Sequence, residues 1–392
     1  MVVNFLSTDE HGRPRIFLFW NWFKFGEWLL IISTRIFADF GLGKVYNFWF
    51  GLKVMKCIVG IESTAHTFGV GVVDTKGKIL SNVKDSYTTV EGGMIPLEVR
   101  AHHARVGGEV FGKALDEAGV CEDDVECVAF SNAPGLAPCL LEGMDFAKGL
   151  AKRLGVSLVP VNHCVAHLVI GESVGARDPV MLYASGANTQ VIAFEGGKFR
   201  VFGETLDLGV GNFIDSIGRS MGLGFPAGAK IEKLALEYEK LEIRNKKLEP
   251  SLLELPYVVK GMDVSFSGIQ TKIRDLICKG HDNAELAFAL QETVFAMLVE
   301  VAERALAHTG KGELLIGGGV GCNGRLVEMC RIMCEERGCK LFVPDKSLLT
   351  DNGAMIGYLG LKQYKSGKYE VGSVDDVDIA PRERTDEVEV LW

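Results

Sequence analysis

The sequence predicts an α/β protein with two lobes and a nucleotide-binding cleft between them. From Lys56 onward, strand-like and helix-like segments alternate, which is typical of α/β folds. A strand–turn–strand unit followed by mixed helices occurs twice, about 120 residues apart, although the residues themselves show no clear repeat. Each unit opens with a turn of the kind that can hold phosphate, so we expect the ligand to lie between the lobes.

The first unit begins with three β-rich runs. They predict strands at Cys57–Glu62, Phe68–Val73 and Lys78–Val83, with a turn at Ser63–Thr67. The elements that follow are a helix at Leu97–Gly119 with Pro96 at its start, a strand at Val125–Phe130, a helix at Leu141–Leu154, a strand at Ser157–Val161 and a short helix at Asn162–Ile170 capped by Asn162. We expect this first lobe to span residues 55–180.

The second unit opens in the same way. Strands at Val180–Ala184 and Gln190–Phe194 flank the polar turn Ser185–Thr189, and Phe199–Gly203 adds a third strand. The remaining predicted elements are helices at 211–221, 227–247, 267–279 and 284–309, a strand at Glu313–Gly317, a helix at 322–337, a strand at 340–343 and a helix at 351–361. We expect this lobe to span 181–350, a C-terminal helix within 351–375 to pack back on the first lobe, and a tail to occupy 376–392.

The first 54 residues differ in composition from the rest of the 392-residue chain. They hold 14 of the 35 aromatic residues and four of the five tryptophans. Their apolar stretch Ile16–Ile32 contains Asn21, Lys24 and Glu27, and charges near the centre of a spanning helix cost about 2.5–3.5 kcal/mol each. We therefore expect residues 1–54 to be an extension translated from a misplaced start, with Met55 as the true start; an interfacial membrane anchor is the alternative.

The charge of residues 55–392 limits how they can bind RNA. They carry a net charge of −11, which argues against broad nonspecific binding and requires a local basic patch or a partner protein. His102, His103 and Arg105 on the first long helix are candidates for such a contact, with an ordinary polar helix face as the alternative. The ten cysteines form no CxxC pair, which indicates free thiols in a reducing compartment, and we expect a cytoplasmic protein with no membrane attachment.

A histidine pair is the sharpest local signal. His163 and His167 are spaced i, i+4 directly after a predicted strand, so that on a helix they face the same way and can share one metal ion. Two unrelated surface histidines are the alternative. Asp351, at the start of the last predicted helix, and Tyr183, at the end of a strand, are candidate further ligands, although Asp351 could simply be a helix N-cap. Such a set suits iron better than magnesium, with zinc as the alternative.

Glycine-rich loops form the second group of candidates. Gly317–Gly324 follows a strand and opens a helix, where backbone N–H groups can receive phosphate, although the loop matches neither a P-loop nor the GxGxxG register. The turn Ser185–Thr189 is a second cradle, with a plain hairpin turn as the alternative. The stretch Asp207–Asn212 and Asp215 are candidates for binding a ribose or a metal. Pro226–Glu232 opens another helix, and Glu232 can hydrogen-bond a sugar hydroxyl.

Together these segments resemble the universal tRNA threonylcarbamoyladenosine transferase family. The segments that carry the resemblance are Ile58–Thr67, Asn162–His167, Tyr183–Gln190, Asp215–Ser216, Gly317–Gly324 and Thr350–Gly353. The opening Glu62–His66 and the tail Arg382–Val390 are most similar to the archaeal and eukaryotic branch, the catalytic subunit of the KEOPS complex. The resemblance covers residue 55 to the end of the chain.

The resemblance implies a fold, a reaction and a set of site residues. The fold would be two ribonuclease-H-like lobes of the actin/Hsp70/sugar-kinase type. The reaction would transfer the threonylcarbamoyl group of threonylcarbamoyl-AMP to the exocyclic amine of the adenosine next to the anticodon in tRNAs that read ANN codons, with release of AMP. The implied ligands of one metal ion per subunit, iron in preference to zinc, are His163, His167, Tyr183 and Asp351. The implied nucleotide and substrate contacts are Tyr183, Ala184, Ser185, Gly186, Ala187, Asp215, Gly228, Glu232 and Asn323, with Ala187 standing where many relatives have glycine.

Implied partners and rival functions complete the prediction. The partners would be tRNA, threonylcarbamoyl-AMP and KEOPS-type proteins, including a separate small kinase or ATPase subunit. Glu62 or His66 is our hypothesis for the proton acceptor. A sugar kinase or ATPase on the same fold has no need of the histidine pair, and a metallopeptidase of the HExxH type would need glutamate where Cys164 stands. The intact ligand set argues against a noncatalytic scaffold.

Overall fold

Two five-stranded sheets with the same strand order form the framework of the protein. The computed structural model describes residues 55–89, 94–244, 252–368 and 373–392. In each sheet the third, second and first strands of the unit lie side by side, and the two later strands follow on the other side of the first strand. In each sheet the first three strands of the unit are antiparallel neighbours and the two later strands run parallel to the first. This repeated order confirms the two predicted ribonuclease-H-like lobes.

The strands lie close to their predicted positions. Those of the first sheet are β1 (Cys57–Glu62), β2 (Thr67–Asp74), β3 (Ile79–Ser86), β4 (Val125–Ala133) and β5 (Ser157–Asn162). Those of the second are β6 (Val180–Ala184), β7 (Thr189–Glu195), β8 (Lys198–Glu204), β11 (Glu313–Gly317) and β12 (Lys340–Phe342). A two-stranded ribbon that the sequence did not predict is formed by β9 (Val259–Lys260) and β10 (Asp263–Val264).

Helices connect and cover the sheets. They are α1 (Pro96–Ala118), α2 (Ala137–Leu154), α3 (His163–Val169), α4 (Val210–Ser220), α5 (Gly228–Arg244), α6 (Ser267–Cys278), α7 (Asn283–Thr309), α8 (Gly324–Arg337), α9 (Lys346–Leu349) and α10 (Gly353–Ser366). Helix α2 begins four residues before its predicted start, since Pro138 is tolerated in a first turn, where its missing N–H costs nothing. The predicted end of α5 at residue 247 lies outside the described residues.

A hydrophobic cluster shared by both lobes holds helices α3 and α10 in place. It contains Ile58 and Cys127 of the first sheet together with Met181 and Leu315 of the second. Helix α10 packs against β1 and β2 and also contacts α3. The two elements that carry the predicted metal ligands are therefore fixed to each other and to both sheets through one core.

Glycines in β1 and β2 let helix α10 approach the first sheet at backbone contact distance. A Cβ atom added at Gly60 would lie 2.1 Å from the amide nitrogen of Gly357, and one added at Gly71 would lie 2.2 Å from that of Ala354. Such distances leave no room for a methyl group, and a backbone cannot move aside as a side chain can. The glycines of these strands thus set the position of the whole C-terminal helix.

The aromatic segment at residues 1–54 lies outside the described residues, so its interpretation as an extension stays a prediction. No helix in the described ranges combines the length and the hydropathy that crossing a bilayer requires.

Asp207 stabilises the fold instead of offering its carboxylate to a ribose or a metal. Its two oxygens accept hydrogen bonds from the backbone nitrogens of Leu208 (2.7 Å), Phe266 (3.0 and 3.1 Å) and Ser267 (2.9 Å), and from the hydroxyl of Ser265 (2.6 Å). These bonds hold the pKa of Asp207 far below its usual range, although burial opposes the shift. The carboxylate is in effect an N-cap for helix α6 supplied by another loop.

We expect Asp207→Asn to lower the free energy of unfolding by about 1 kcal/mol. Hydrogen bonds to a charged group usually contribute more than this, but Asp207 is exposed and solvent screens its charge. Since the folded-state pKa is depressed, this stabilisation is present above the unfolded pKa of about 3.9 and disappears as the pH falls through the folded value. Urea unfolding at pH 7 and pH 3 measures both effects. Asp275→Asn, which removes only an exposed pair with Lys279, is the control and should change nothing measurable; an equal loss in both variants would contradict the prediction.

Candidate functional site

Helix α3 presents two histidines on one face. Asn162, the last residue of β5, caps this helix by accepting hydrogen bonds from the backbone nitrogens of Cys164 (3.0 Å) and Val165 (3.2 Å). The rings of His163 and His167 lie 4.7 Å apart at an interplanar angle of 79°, and both side chains are buried. The i, i+4 spacing therefore brings two imidazoles together, as the sequence predicts.

Asp351 completes a cluster of three donor atoms. Its Oδ1 lies 3.4 Å from Nε2 of His163 and 3.4 Å from Nε2 of His167. The alternative interpretation of Asp351 as a helix N-cap is wrong, because Asn352 performs that role by accepting a hydrogen bond from the backbone nitrogen of Met355 (3.0 Å). The carboxylate of Asp351 is consequently free to face the histidines.

The spacing of these atoms fits a bound cation better than direct hydrogen bonding. A distance of 3.4 Å is long for a hydrogen bond. Ligand atoms bonded to a tetrahedral ion at about 2.0–2.1 Å lie roughly 3.3 Å from one another. All three donor atoms lie within 4.8 Å of each other. The chemistry of the donor set, two imidazoles and one carboxylate, suits zinc or iron.

Glu62 supports the cluster from behind. Its side chain is fully buried at the end of β1, and its Oε2 lies 2.9 Å from Nδ1 of His163. Its Oε1 accepts bonds from the backbone nitrogen (2.7 Å) and the hydroxyl (2.5 Å) of Thr64. A carboxylate that holds the far nitrogen of a ligand histidine fixes its tautomer and ring orientation. The carboxylate of Glu62 thus directs Nε2 of His163 towards Asp351.

The charges of the cluster stabilise each other. Burial alone would lower the pKa of His163, but the carboxylates of Glu62 and Asp351 raise it well above its ordinary value. Burial would likewise raise the pKa of Asp351, whereas the two imidazoles hold it well below. Burial lowers the pKa of His167 and keeps that ring neutral. Two carboxylates facing buried imidazoles make an electrostatic environment that favours a cation.

Tyr183 lies beside this cluster at the end of β6. Its side chain is almost completely buried, and its ring centroid is 5.0 Å from that of His167. Its side chain lies close to Ser185 and to the thiol of Cys164. Burial raises the pKa of the phenol well above its usual value. Tyr183 therefore keeps its proton unless a cation replaces it.

The predicted cradles come together around the end of β6. The turn after Tyr183 packs on the start of α4, where the backbone nitrogen of Gly211 donates to the carbonyl of Ser185 (3.0 Å) and that of Asn212 to the carbonyl of Gly186 (2.9 Å). Gly318 has a φ of +88°, and a Cβ there would lie 2.3 Å from the carbonyl oxygen of Ala184. Only glycine suits a position with both features. Two loops that are distant in sequence therefore form one surface beside the cluster of His163, His167 and Asp351.

Side chains of α4, α5 and α8 connect this surface into one site. Asp215 accepts a hydrogen bond from the backbone nitrogen of Ala227 (2.7 Å), next to Gly228, where a side chain would meet open space. Glu232 accepts from the backbone nitrogen of Gly324 (2.8 Å). Asn323 caps α8 and donates to Gln291 (2.9 Å). Hydrogen bonds therefore join these helices, because Asp215 bonds the residue before Gly228 and Glu232 bonds the residue after Asn323.

Two further histidines of the first lobe, His102 and His103, have a role different from the predicted one. His102 and His103 are buried and cannot contact an RNA backbone, so that interpretation is wrong for the two histidines, whereas Arg105 is exposed and its RNA contact stays a prediction. His102 Nε2 lies 2.8 Å from Asp85 Oδ1, and His103 Nε2 donates to the carbonyl of Ala65 (2.9 Å). Burial lowers the pKa of His103 to about 4. These contacts hold the loop that carries His66, whose half-buried ring packs edge-on against Phe225 at 5.9 Å.

Lys84 is a site residue that sequence analysis missed. Its Nζ donates to the hydroxyl of Thr350 and to the backbone carbonyl of Asp351 (3.3 Å). A lysine in an alternating strand carries no signal of such a contact, because the partner lies more than 260 residues later in the chain. Lys84 fixes the loop that delivers Asp351.

The sheets and the cluster define a protein of the actin/Hsp70/sugar-kinase fold class that carries a two-histidine, one-carboxylate site. A likeness in fold alone connects it with the crystal structure of full-length HypF in its phosphate- and nucleotide-bound form, at a TM-score of 0.53 and 13% identity over 81% of this chain and 56% of that chain.

Comparison of sequences identifies the family. The profile of TsaD, tRNA N6-adenosine threonylcarbamoyltransferase, matches residues 78–358. The tRNA N6-adenosine threonylcarbamoyltransferase of Thermococcus kodakarensis is 50% identical over 336 residues, which cover 85% of this chain and 99% of that protein. A probable bifunctional tRNA threonylcarbamoyladenosine biosynthesis protein of Methanosarcina mazei is 46% identical, over 86% of this chain and 59% of that protein. The chain belongs to the TsaD family of transferases, which confirms the predicted family.

Proposed function

We propose that this protein transfers the threonylcarbamoyl group of threonylcarbamoyl-AMP to the exocyclic amine of the adenosine next to the anticodon in tRNAs that read ANN codons, and releases AMP. The observation that carries the proposal is the cluster of His163, His167 and Asp351 beside the glycine-lined surface after Tyr183. The cluster would face the carbamoyl group, and the surface would receive the adenylate. Membership of the TsaD family supports the same assignment.

The adenylate would lie along the second lobe. The backbone of Tyr183–Ala187 would receive its phosphate, since backbone N–H groups positioned where charge develops on a leaving group lower the barrier to its departure. The remaining contacts would come from Asp215, Gly228, Glu232 and Asn323, which lie on the connected helix starts α4, α5 and α8. Because the acceptor amine is a poor nucleophile, positioning it against the carbonyl would contribute most of the rate.

One metal ion would be held by His163, His167 and Asp351, with the hydroxyl of Tyr183 nearby as a further ligand. We favour iron, with zinc as the alternative. When bound, such an ion would act as a Lewis acid that polarises the carbamoyl carbonyl. Glu62 would keep Nε2 of His163 directed towards the ion, and Lys84 would hold the loop of Asp351.

Of the two candidate proton acceptors, the geometry favours His66. Glu62 is fully buried and both of its oxygens already have partners, so it is poorly placed to reach an incoming amine. His66 is half-buried, packs against Phe225 and lies close to the carboxylate of Asp215. A proton taken from the amine by His66 would therefore stay close to a carboxylate.

A reconstituted transfer reaction tests the proposed function. The purified full-length protein is incubated with tRNA, threonine, bicarbonate, ATP, an adenylate-forming enzyme and candidate partner proteins, and the nucleosides are analysed by mass spectrometry. Threonylcarbamoyladenosine should form only when the protein is present. Absence of product with every partner set would overturn the proposal. The partners we propose are of the KEOPS type, with a separate small kinase or ATPase subunit.

Two arginines at the edge of the proposed nucleotide site are the basic contact that tRNA would use. Arg219 lies one helical turn after Asp215, and Arg274 donates to the hydroxyls of Ser216 (3.0 Å) and Ser220 (3.3 Å) and to no carboxylate among the described residues. Within an acidic protein, such cations attract phosphate. We expect Arg274→Glu to weaken tRNA binding several-fold and to reduce the salt dependence by about one charge.

Fluorescence anisotropy with labelled tRNA at several KCl concentrations measures this effect. Arg337→Glu is the matched control, because Arg337 already pairs with Glu303 and lies at the far end of α8, roughly 20 Å from the start of that helix. Equal weakening by both charge reversals would indicate a general charge effect and contradict a specific contact.

A further inference from the structure

The C-terminal segment connects the two lobes beside the metal cluster. Val377 is buried in the core of the first lobe, whereas Trp392 packs on Phe199 of the second at 6.4 Å between ring centroids. Between them, the backbone nitrogen of Ala380 donates to the carbonyl of Asn132 (2.9 Å), and the carbonyl of Pro381 accepts from Gly135 (3.2 Å). The segment is thus bonded to the first lobe immediately before it reaches helix α3.

Glu383 then contacts the residue that caps the histidine helix. Its Oε2 accepts a hydrogen bond of 2.8 Å from Nδ2 of Asn162, which is almost completely buried. The amide of Asn162 has one donor end and one acceptor end. With its donor end held by Glu383, its oxygen points towards the backbone nitrogens of Cys164 and Val165. The carboxylate of Glu383 therefore selects the amide orientation that caps α3.

A second residue of the same segment lies beside the first turn of helix α3. Thr385 is 2% exposed and lies close to the thiol of Cys164, the residue that follows His163. Helix α3 has only seven residues, and a helix of that length is not stable by itself in water. Its position must therefore come from its cap and from its surroundings, and the C-terminal segment contributes to both.

We propose that Glu383 is a positioning residue of the metal site, acting through Asn162 to fix the helix that carries His163 and His167. This inference rests on the proposed metal site, and the experiments below distinguish the loss of the positioning role from the loss of the metal site. Loss of an outer contact that orients a metal ligand typically costs 10–100-fold in affinity. Since Glu383 acts through the cap, we expect Glu383→Ala to weaken metal binding about tenfold.

The metal affinity of the full-length protein is measured by competition with a chelator for Zn²⁺ and for Fe²⁺. Thermal unfolding of the metal-free protein then shows whether a variant has lost stability as well as metal affinity. Glu383→Gln should bind metal within about twofold of the wild type, because the glutamine oxygen still accepts from Asn162. Asp386→Ala is the matched control: it removes a carboxylate of the same segment whose one bonding partner among the described residues is Arg384, and its metal affinity should be unchanged.

The double variant Asn162→Asp/Glu383→Gln exchanges the hydrogen-bond donor and acceptor of this pair, so it tests the positioning role without removing the contact. In this variant the aspartate still caps helix α3, the glutamine donates a hydrogen bond to it, and the net charge of the pair is conserved. The metal affinity of the double variant should be close to that of the wild type. Wild-type affinity in Glu383→Ala, or a Tm loss in the metal-free protein without a loss of metal affinity, would overturn the positioning role. Failure of the wild type to bind either metal would overturn the metal site itself.

Discussion

Replacement of His163 by glutamine is expected to leave a folded protein that retains less than about one-tenth of the wild-type metal, with transfer activity lowered roughly 100-fold or more. His163 supplies one of three converging donor atoms, at 3.4 Å from Asp351 Oδ1. The glutamine amide can still donate to Glu62, so this variant avoids leaving that buried carboxylate without a partner. Breaking a buried charge pair outright would cost about 3–5 kcal/mol, which is why His163→Ala would be a poorer test.

Elemental analysis after purification, together with the reconstituted transfer assay, measures both effects. His281→Gln is the matched control, since His281 is partly exposed and, within the part of the chain that the structure describes, its side chain pairs with Glu285 alone, one turn along the chain. Its metal content and activity should equal those of the wild type. A stoichiometric metal content in His163→Gln would show that the ligand set is different from the one proposed.

Gly71→Ala is expected to destabilise the protein by about 3 kcal/mol or more and to weaken metal binding at the same time. The added methyl group would lie 2.2 Å from the amide nitrogen of Ala354 and 2.4 Å from its Cα, so helix α10 would have to move away from β2. Asp351 precedes Ala354 by three residues, and movement of the helix would carry its carboxylate away from the histidines. Stability and metal affinity should therefore fall together.

The control for this substitution is another glycine in the same lobe. A Cβ at Gly108, on the outer face of helix α1, would have no neighbour within 4 Å. Gly108→Ala should stabilise the protein by about 0.5–1 kcal/mol, because alanine loses less backbone entropy in a helix. Urea unfolding and chelator competition on both variants decide the matter. If Gly71→Ala unfolded at the wild-type urea concentration, the close packing of α10 on β2 would not be as described.

The arrangement of His163, His167 and Asp351 can be predicted only in part from the sequence. The spacing of His163 and His167 predicts a shared face on a helix, because the helical period is a local property of the backbone. The roles of Asp351 and Asn352 could not be separated in this way, since either residue can cap a helix. Packing of α10 between β2 and α3 decided between them, and it placed the carboxylate of Asp351 against both imidazoles.

The burial of His102 and His103 could not be predicted from the sequence. On a helical wheel, His102 and His103 are compatible with a polar, solvent-facing surface. In the folded protein they bond to Asp85 and to the carbonyl of Ala65, so that they hold the loop of His66. Nothing in the local pattern distinguishes a satisfied buried histidine from an exposed one, because its partners come from other strands.

The alternation of strands and helices, the repeated opening unit, the histidine pair and the family could all be predicted from the sequence, because each depends on short-range periodicity or on residues at fixed spacing. The contacts between residues far apart in the chain could be read only from the folded protein. Lys84 with Asp351, Glu62 with His163 and Glu383 with Asn162 join residues more than 100 positions apart. Such pairs form only when packing of the apolar faces brings distant backbone segments together. The side-chain pattern along one segment does not show which other segment will pack against it.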